Sequence, residues 1–76
     1  MLKNYIEIDL LNGRAVANDE NLLLSGLLDS LAVMSLVGFI EETYAIKIPF
    51  GDVVIENFMS IDAIRDFLKR KHLIDA

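Results

Sequence analysis

From Leu31 to Tyr44 the residues Val33, Leu36, Val37, Ile40 and Tyr44 recur at the i, i+3, i+4, i+7 spacing of one helix face, directly after the pair Asp29-Ser30. Aspartate and serine are favoured at helix starts because their side-chain oxygens accept amide protons that the first turn leaves without a partner. The spacing therefore predicts a helix from Leu31 to Tyr44 that buries the Val33 stripe and turns Leu31, Met34, Ser35, Gly38 and Glu42 the other way. Two of that second set, Leu31 and Met34, are large and apolar, and grouped apolar residues on an outer helix face mark a partner surface.

The rest of the chain is organised around this element. Leu2, Ile6 and Leu10, with Tyr5 beside them, predict a first, rather short helix over Leu2–Leu11, which Asn12-Gly13 ends because both residues tolerate the left-handed conformation. Arg14 to Asp29 has no clean period and reads as a long loop pinned by Leu22, Leu23, Leu24, Leu27 and Leu28, with a turn at Ser25-Gly26. Unstructured connections of that length are uncommon in compact domains unless they serve a function. Ala45 to Pro49 alternates and reads as an extended link. Val53, Val54 and Ile55 favour a strand by propensity, but a lone strand has nothing to pair with, so Asp52 to Phe58 is assigned a short helical turn with Phe58 inward. Ser60 then caps a last helix, Ile61 to about His72, with Ile61, Ile64, Phe67 and Leu68 buried and Lys69 to His72 at the end the helix dipole favours. The expected fold is all-α, a four-helix bundle with a long loop between helices 1 and 2 and a short third helix, in one domain over residues 1–76.

Composition narrows the function classes. With no cysteine and one histidine, disulfides, thiolate metal sites, a cysteine nucleophile and a zinc site are excluded, and the acidic pairs Asp19-Glu20 and Glu41-Glu42 lack the spacing of a calcium loop. A serine triad has no support in the pattern, so the chain is not expected to be an enzyme. The net charge of −5 has the wrong sign for nucleic acid or an anionic membrane surface and favours a basic partner surface. The run Leu31–Ile40 is too short to span a bilayer, and the N-terminus lacks an apolar leader, so a cytoplasmic location is expected; a monomer is expected as well.

Ser30 stands apart. It could be no more than a helix cap, but a serine at the positive end of a helix, at the mouth of a loop and beside an apolar outer face, is also well placed to carry a phosphate. The stretch Asp19 to Leu31, ending Leu27-Leu28-Asp29-Ser30-Leu31, resembles the phosphopantetheine attachment site of acyl and peptidyl carrier proteins. Leu36 to Tyr44 with Ile46, Ile48 and Pro49 is similar to that family's second helix and following loop. Glu56-Asn57-Phe58 with Ser60 to Ile64 is similar to its third and fourth helix junction.

The resemblance implies that Ser30 receives phosphopantetheine from coenzyme A, that Asp29 assists the magnesium-dependent transferase, and that Leu31, Met34, Ser35, Gly38 and Glu42 lie on the helix that partners read. It also implies an interior of Val33, Leu36, Val37, Ile40, Phe58, Ile64 and Phe67, where some members shelter an acyl chain; plain core is the alternative for these seven. The implied partners are a phosphopantetheinyl transferase, an acyl- or aminoacyl-loading ligase and a downstream synthase or transferase. Positions two and five after the serine, usually acidic in fatty-acid carriers, are Ala32 and Ser35 here, which points toward peptidyl, aminoacyl or specialised carriers. The first helix is also shorter than the family's usual one. The expectation is a free-standing carrier of a dedicated polyketide, nonribosomal-peptide, lipid or aminoacyl pathway, and the alternative from another class is an unmodified helical adaptor.

Overall fold

The computed structural model describes residues 2–71, and all the regular structure in them is helical. Helix α1 (Leu2–Asn4) continues as a π-helical stretch over Tyr5–Leu10; α2 is Ser30–Tyr44, α3 Ile55–Phe58 and α4 Ile61–Arg70, with a 3-10 turn at Phe50–Asp52 ahead of α3. No helix among the described residues is long and apolar enough to cross a membrane.

The core follows the predicted stripes. Leu36, Val37 and Ile40 of α2 are buried with Ile61, Ile64, Phe67 and Leu68 of α4, and Leu2, Ile6 and Phe58 join the same cluster with Val16, Leu22, Leu28 and Ile48 of the connections. Phe58 and Phe67 meet with ring centroids 5.8 Å apart, a tilted aromatic contact that fastens α3 to α4. At the ends of the α2 stripe Val33 and Tyr44 are half-buried, while Leu31, Met34, Ser35, Gly38 and Glu42 are all exposed, as the period required. The last helix ends at Arg70, with Lys71, expected to be helical, as its C-cap; His72, the expected end of the helix, lies outside the described residues.

Two details depart from expectation. The first helix does not keep α-winding: the Leu11 amide donates to Ile6 O at 3.0 Å, an i→i−5 bond, and Leu10 is half-buried, packed against the core cluster that holds Leu2 and Ile6. Tyr5 on this stretch stacks on Phe39 of α2 at 4.0 Å between centroids. In the loop, Leu22 and Leu28 are buried and Leu23 and Leu27 half-buried, but Leu24 is exposed and pins nothing, whereas Val16 is buried.

Acidic side chains fasten the connections. Glu7 Oε2 accepts from the Val16 amide at 2.8 Å, and Glu41 Oε2 accepts from the Ile48 amide at 2.8 Å, so the segments on either side of α2 are held by carboxylates rather than by a sheet ladder. At the C-cap of α2, Ala45 adopts φ 54°, ψ 48°, a left-handed conformation in which its Cβ crowds the backbone. Glycine has no such penalty there. Ala45→Gly is therefore expected to raise unfolding stability by about 1 kcal/mol, read as a higher urea midpoint at unchanged slope.

Candidate functional site

The approach to α2 is built from local turns. Asn21 Oδ1 accepts from the amides of Leu23 and Leu24 at 3.1 and 2.7 Å, closing a side-chain-mediated turn. The Leu22 amide donates to Met59 O at 2.7 Å and the Leu28 amide to Leu22 O at 2.9 Å, which ties the loop to the α3–α4 junction and delivers Asp29 to the start of α2.

Asp29 is the cap. Its backbone is extended (φ −99°, ψ −176°), and its Oδ1 accepts from the Ala32 amide at 2.8 Å while its carbonyl accepts from Val33 N at 3.0 Å. Ser30, which could have been the cap, is instead the first helical residue; it is exposed, and its hydroxyl makes no hydrogen bond among the described residues. Ser60, the other serine at a helix start, shows the contrast. It is buried, and its Oγ accepts from the Ala63 amide at 3.0 Å, so its hydroxyl is committed to capping α4.

Beside Ser30 opens a groove of about 510 Å³. Leu23 and Leu28 come to it from the loop, Asp29, Ser30, Val33 and Met34 from the start of α2, and Phe50, Val53, Val54, Ile55 and Phe58 from the opposite wall. Of the seven residues assigned to an acyl-sheltering interior, Val33 and Phe58 line this groove; Leu36, Val37, Ile40, Ile64 and Phe67 are buried in the core and are not part of its lining. The exposed face carries Leu31, Met34, Ser35, Gly38 and Glu42, and of these only Met34 reaches the groove. On the opposite wall sequence reasoning named Phe58 but missed Phe50, Val53, Val54 and Ile55. Phe50 belongs to no periodic stripe, and the β-branched run Val53 to Ile55 gave a conflicting local signal.

The arrangement suits a phosphodiester on Ser30 Oγ. The amides of Ser30 and Leu31 make no hydrogen bond among the described residues, and they sit at the positive end of a 15-residue helix, where anionic oxygens are stabilised. The exposed hydroxyl leaves room for a long substituent, and the groove beside it offers apolar walls.

A family model described as the phosphopantetheine attachment site matches residues 6–68. Searches of curated proteins and of solved structures returned no significant match. The chain belongs to the phosphopantetheine-attachment family; its prosthetic group is phosphopantetheine, and like other such domains it is a carrier and not an enzyme.

Because Asp29 does the capping, the two neighbouring residues differ in what they contribute to the fold. Asp29→Ala is expected to cost about 1 kcal/mol of stability. Ser30→Ala is expected to stay within about 0.5 kcal/mol of wild type, since alanine is a good helix former and no bond is lost. Urea unfolding of the two variants side by side reads the difference.

Proposed function

We propose that Ser30 is the attachment point and that the protein carries an acyl, hydroxyacyl or aminoacyl cargo between the enzymes of a dedicated lipid, polyketide, nonribosomal-peptide or aminoacyl pathway. The observation that carries this reading is the division of labour at the start of α2, where Asp29 caps the helix and Ser30 keeps a free, exposed hydroxyl. When bound, phosphopantetheine supplies the thiol that a chain without cysteine lacks and holds cargo on it as a thioester. Ser30 contributes the oxygen that takes the phosphate, the Ser30 and Leu31 amides steady its charge, and Asp29 holds the helix start in register and presents the serine.

The same reading gives the molecule the arrangement of a four-helix bundle with a long first loop, in a single carrier domain over residues 1–76. It acts as a cytoplasmic monomer, engaged in turn by a phosphopantetheinyl transferase, a loading ligase and a downstream synthase or transferase. Leu31, Met34, Ser35, Gly38 and Glu42 form the helix face those partners meet. Val33 and Phe58, together with Leu23, Met34 and Val53, give an apolar cargo a place to lie near the arm. An unmodified adaptor, in which Ser30 serves only as a cap, loses its main argument because Asp29 occupies the cap.

Incubation with coenzyme A, Mg²⁺ and a broad-specificity phosphopantetheinyl transferase, followed by intact mass, tests the assignment. The wild-type protein is expected to gain the mass of one phosphopantetheine and Ser30→Ala none. Modification of both proteins would move the attachment to another hydroxyl, and modification of neither, with the fold intact, would overturn the carrier reading.

A further inference from the structure

The groove beside Ser30 has almost no charge. Of the side chains lining it Asp29 alone is acidic or basic, and that carboxylate is engaged with the Ala32 amide. The first turn of α2 adds no acidic residue. The rim is apolar and faces outward: Phe50 is 81% exposed, Ile55 56%, Met34 49% and Val54 42%, and Leu31, next to Ser30 in the chain, is 80% exposed. Single exposed apolar residues are ordinary on a protein surface, but five around one functional hydroxyl form a patch.

What covers that patch follows from the chemistry at Ser30. Any enzyme that transfers a group to the hydroxyl must bring its reacting atoms within bonding distance of Oγ. A specific contact covers about 800 Å² on each partner, and this protein measures only 21 Å along each of its two shorter axes. A footprint centred on Ser30 therefore takes in the rim. We infer that the phosphopantetheinyl transferase docks on this apolar collar through apolar groups of its own, with Phe50 as the principal anchor, and not through basic residues reading the chain's net negative charge. The inference rests on Ser30 as the attachment point and adds the contact chemistry of the partner. Phe50 is the one aromatic side chain at the exposed rim, and aromatic residues are enriched in the cores of protein interfaces.

Salt separates the two kinds of docking, because exposed charges are screened over about 10 Å at 0.1 M salt while apolar contact is not. With saturating coenzyme A and Mg²⁺, the initial rate of transfer by a broad-specificity transferase is measured against carrier concentration at about 0.05 to 0.5 M KCl. The KM for the carrier is expected to change less than about three-fold across that range. Phe50→Ser is expected to raise it about ten-fold with kcat nearly unchanged, and Phe50→Leu to restore most of the loss. Phe50 is too exposed for either change to disturb the core, and an unchanged thermal midpoint verifies this.

A KM that climbs about ten-fold with salt while Phe50→Ser has no effect would overturn the inference in favour of charge-led docking. A KM indifferent to Phe50→Ser at every salt concentration would also overturn it and leave the rim as cargo shelter alone. Dimerisation of the wild-type chain that Phe50→Ser abolishes would assign the collar to a second copy. In these three cases wild type still gains one phosphopantetheine on long incubation and Ser30→Ala does not, so the attachment reading survives; absence of that gain in wild type sinks both.

Discussion

The hydrogen bond from the Ala32 amide to Asp29 Oδ1 sets the start of α2, and the rest of the site depends on where that start falls. It makes Asp29 the residue outside the helix and Ser30 the first within it. The rotational setting that follows carries Leu36, Val37 and Ile40 into the core and leaves Leu31 and Met34 outside. Had the helix begun one residue later, Ser30 would have been the capping residue, its hydroxyl drawn to an amide of the first turn as Ser60's is at α4. The same amino acid at two helix starts thus does two different things, and the difference is set by whether a better-placed carboxylate precedes it.

The acidity of the chain has a structural component that net charge conceals. Glu7 and Glu41 each accept an amide proton from a connecting segment, Glu20 accepts from Ala17 N and lies 3.6 Å from Arg14, and Asp29 caps α2. These carboxylates do for the loops what a second strand does in a sheet, supplying acceptors to amides that have no helix to join. A charge of −5 read from the sequence suggests a protein that meets basic partners; of those charges only the Asp29 carboxylate lines the groove beside Ser30.

Periodicity made the core legible and left the groove obscure, for one physical reason. A stripe at i, i+3, i+4, i+7 states which side of a helix turns inward, and for α2 and α4 that is correct down to the buried set Ile61, Ile64, Phe67 and Leu68. It does not state whether an inward side chain meets another side chain or a space. Leu36, Val37, Ile40, Ile64 and Phe67 meet side chains, whereas Val33, one turn nearer the helix start, meets the groove. The opposite wall was harder still, since Phe50 to Ile55 is too short and irregular to carry a period, and Val53 to Ile55 have propensities that oppose the helical turn they lead into. The π-winding of Tyr5–Leu10 was equally silent, because the four-residue spacing of Leu2, Ile6 and Leu10 fits α- and π-winding about equally well.

That irregular wall is anchored at one end and lightly held at the other. At its inner end Phe58 is fully buried against Phe67, and burial of an aromatic ring contributes several kcal/mol, on the order of 2–3 from its apolar area alone. Near the surface the links are polar: Asn57 Nδ2 donates to Asp52 O at 2.9 Å, Arg70 Nη2 donates to Asn57 Oδ1 at 3.2 Å, and Lys71 lies 4.0 Å from Asp52. An exposed ion pair of that kind contributes about 0–1 kcal/mol and weakens with salt. The outer part of the wall, with Phe50, Val54 and Ile55 exposed, therefore has little burial to hold it in one position, while α2 across the groove is fixed by its cap and its buried stripe. A carrier gains from that asymmetry. Under the proposed assignment, Ser30 stands on the side held by the cap and the buried stripe, where its position is defined, and the exposed apolar rim lies on the side whose shape costs least to change.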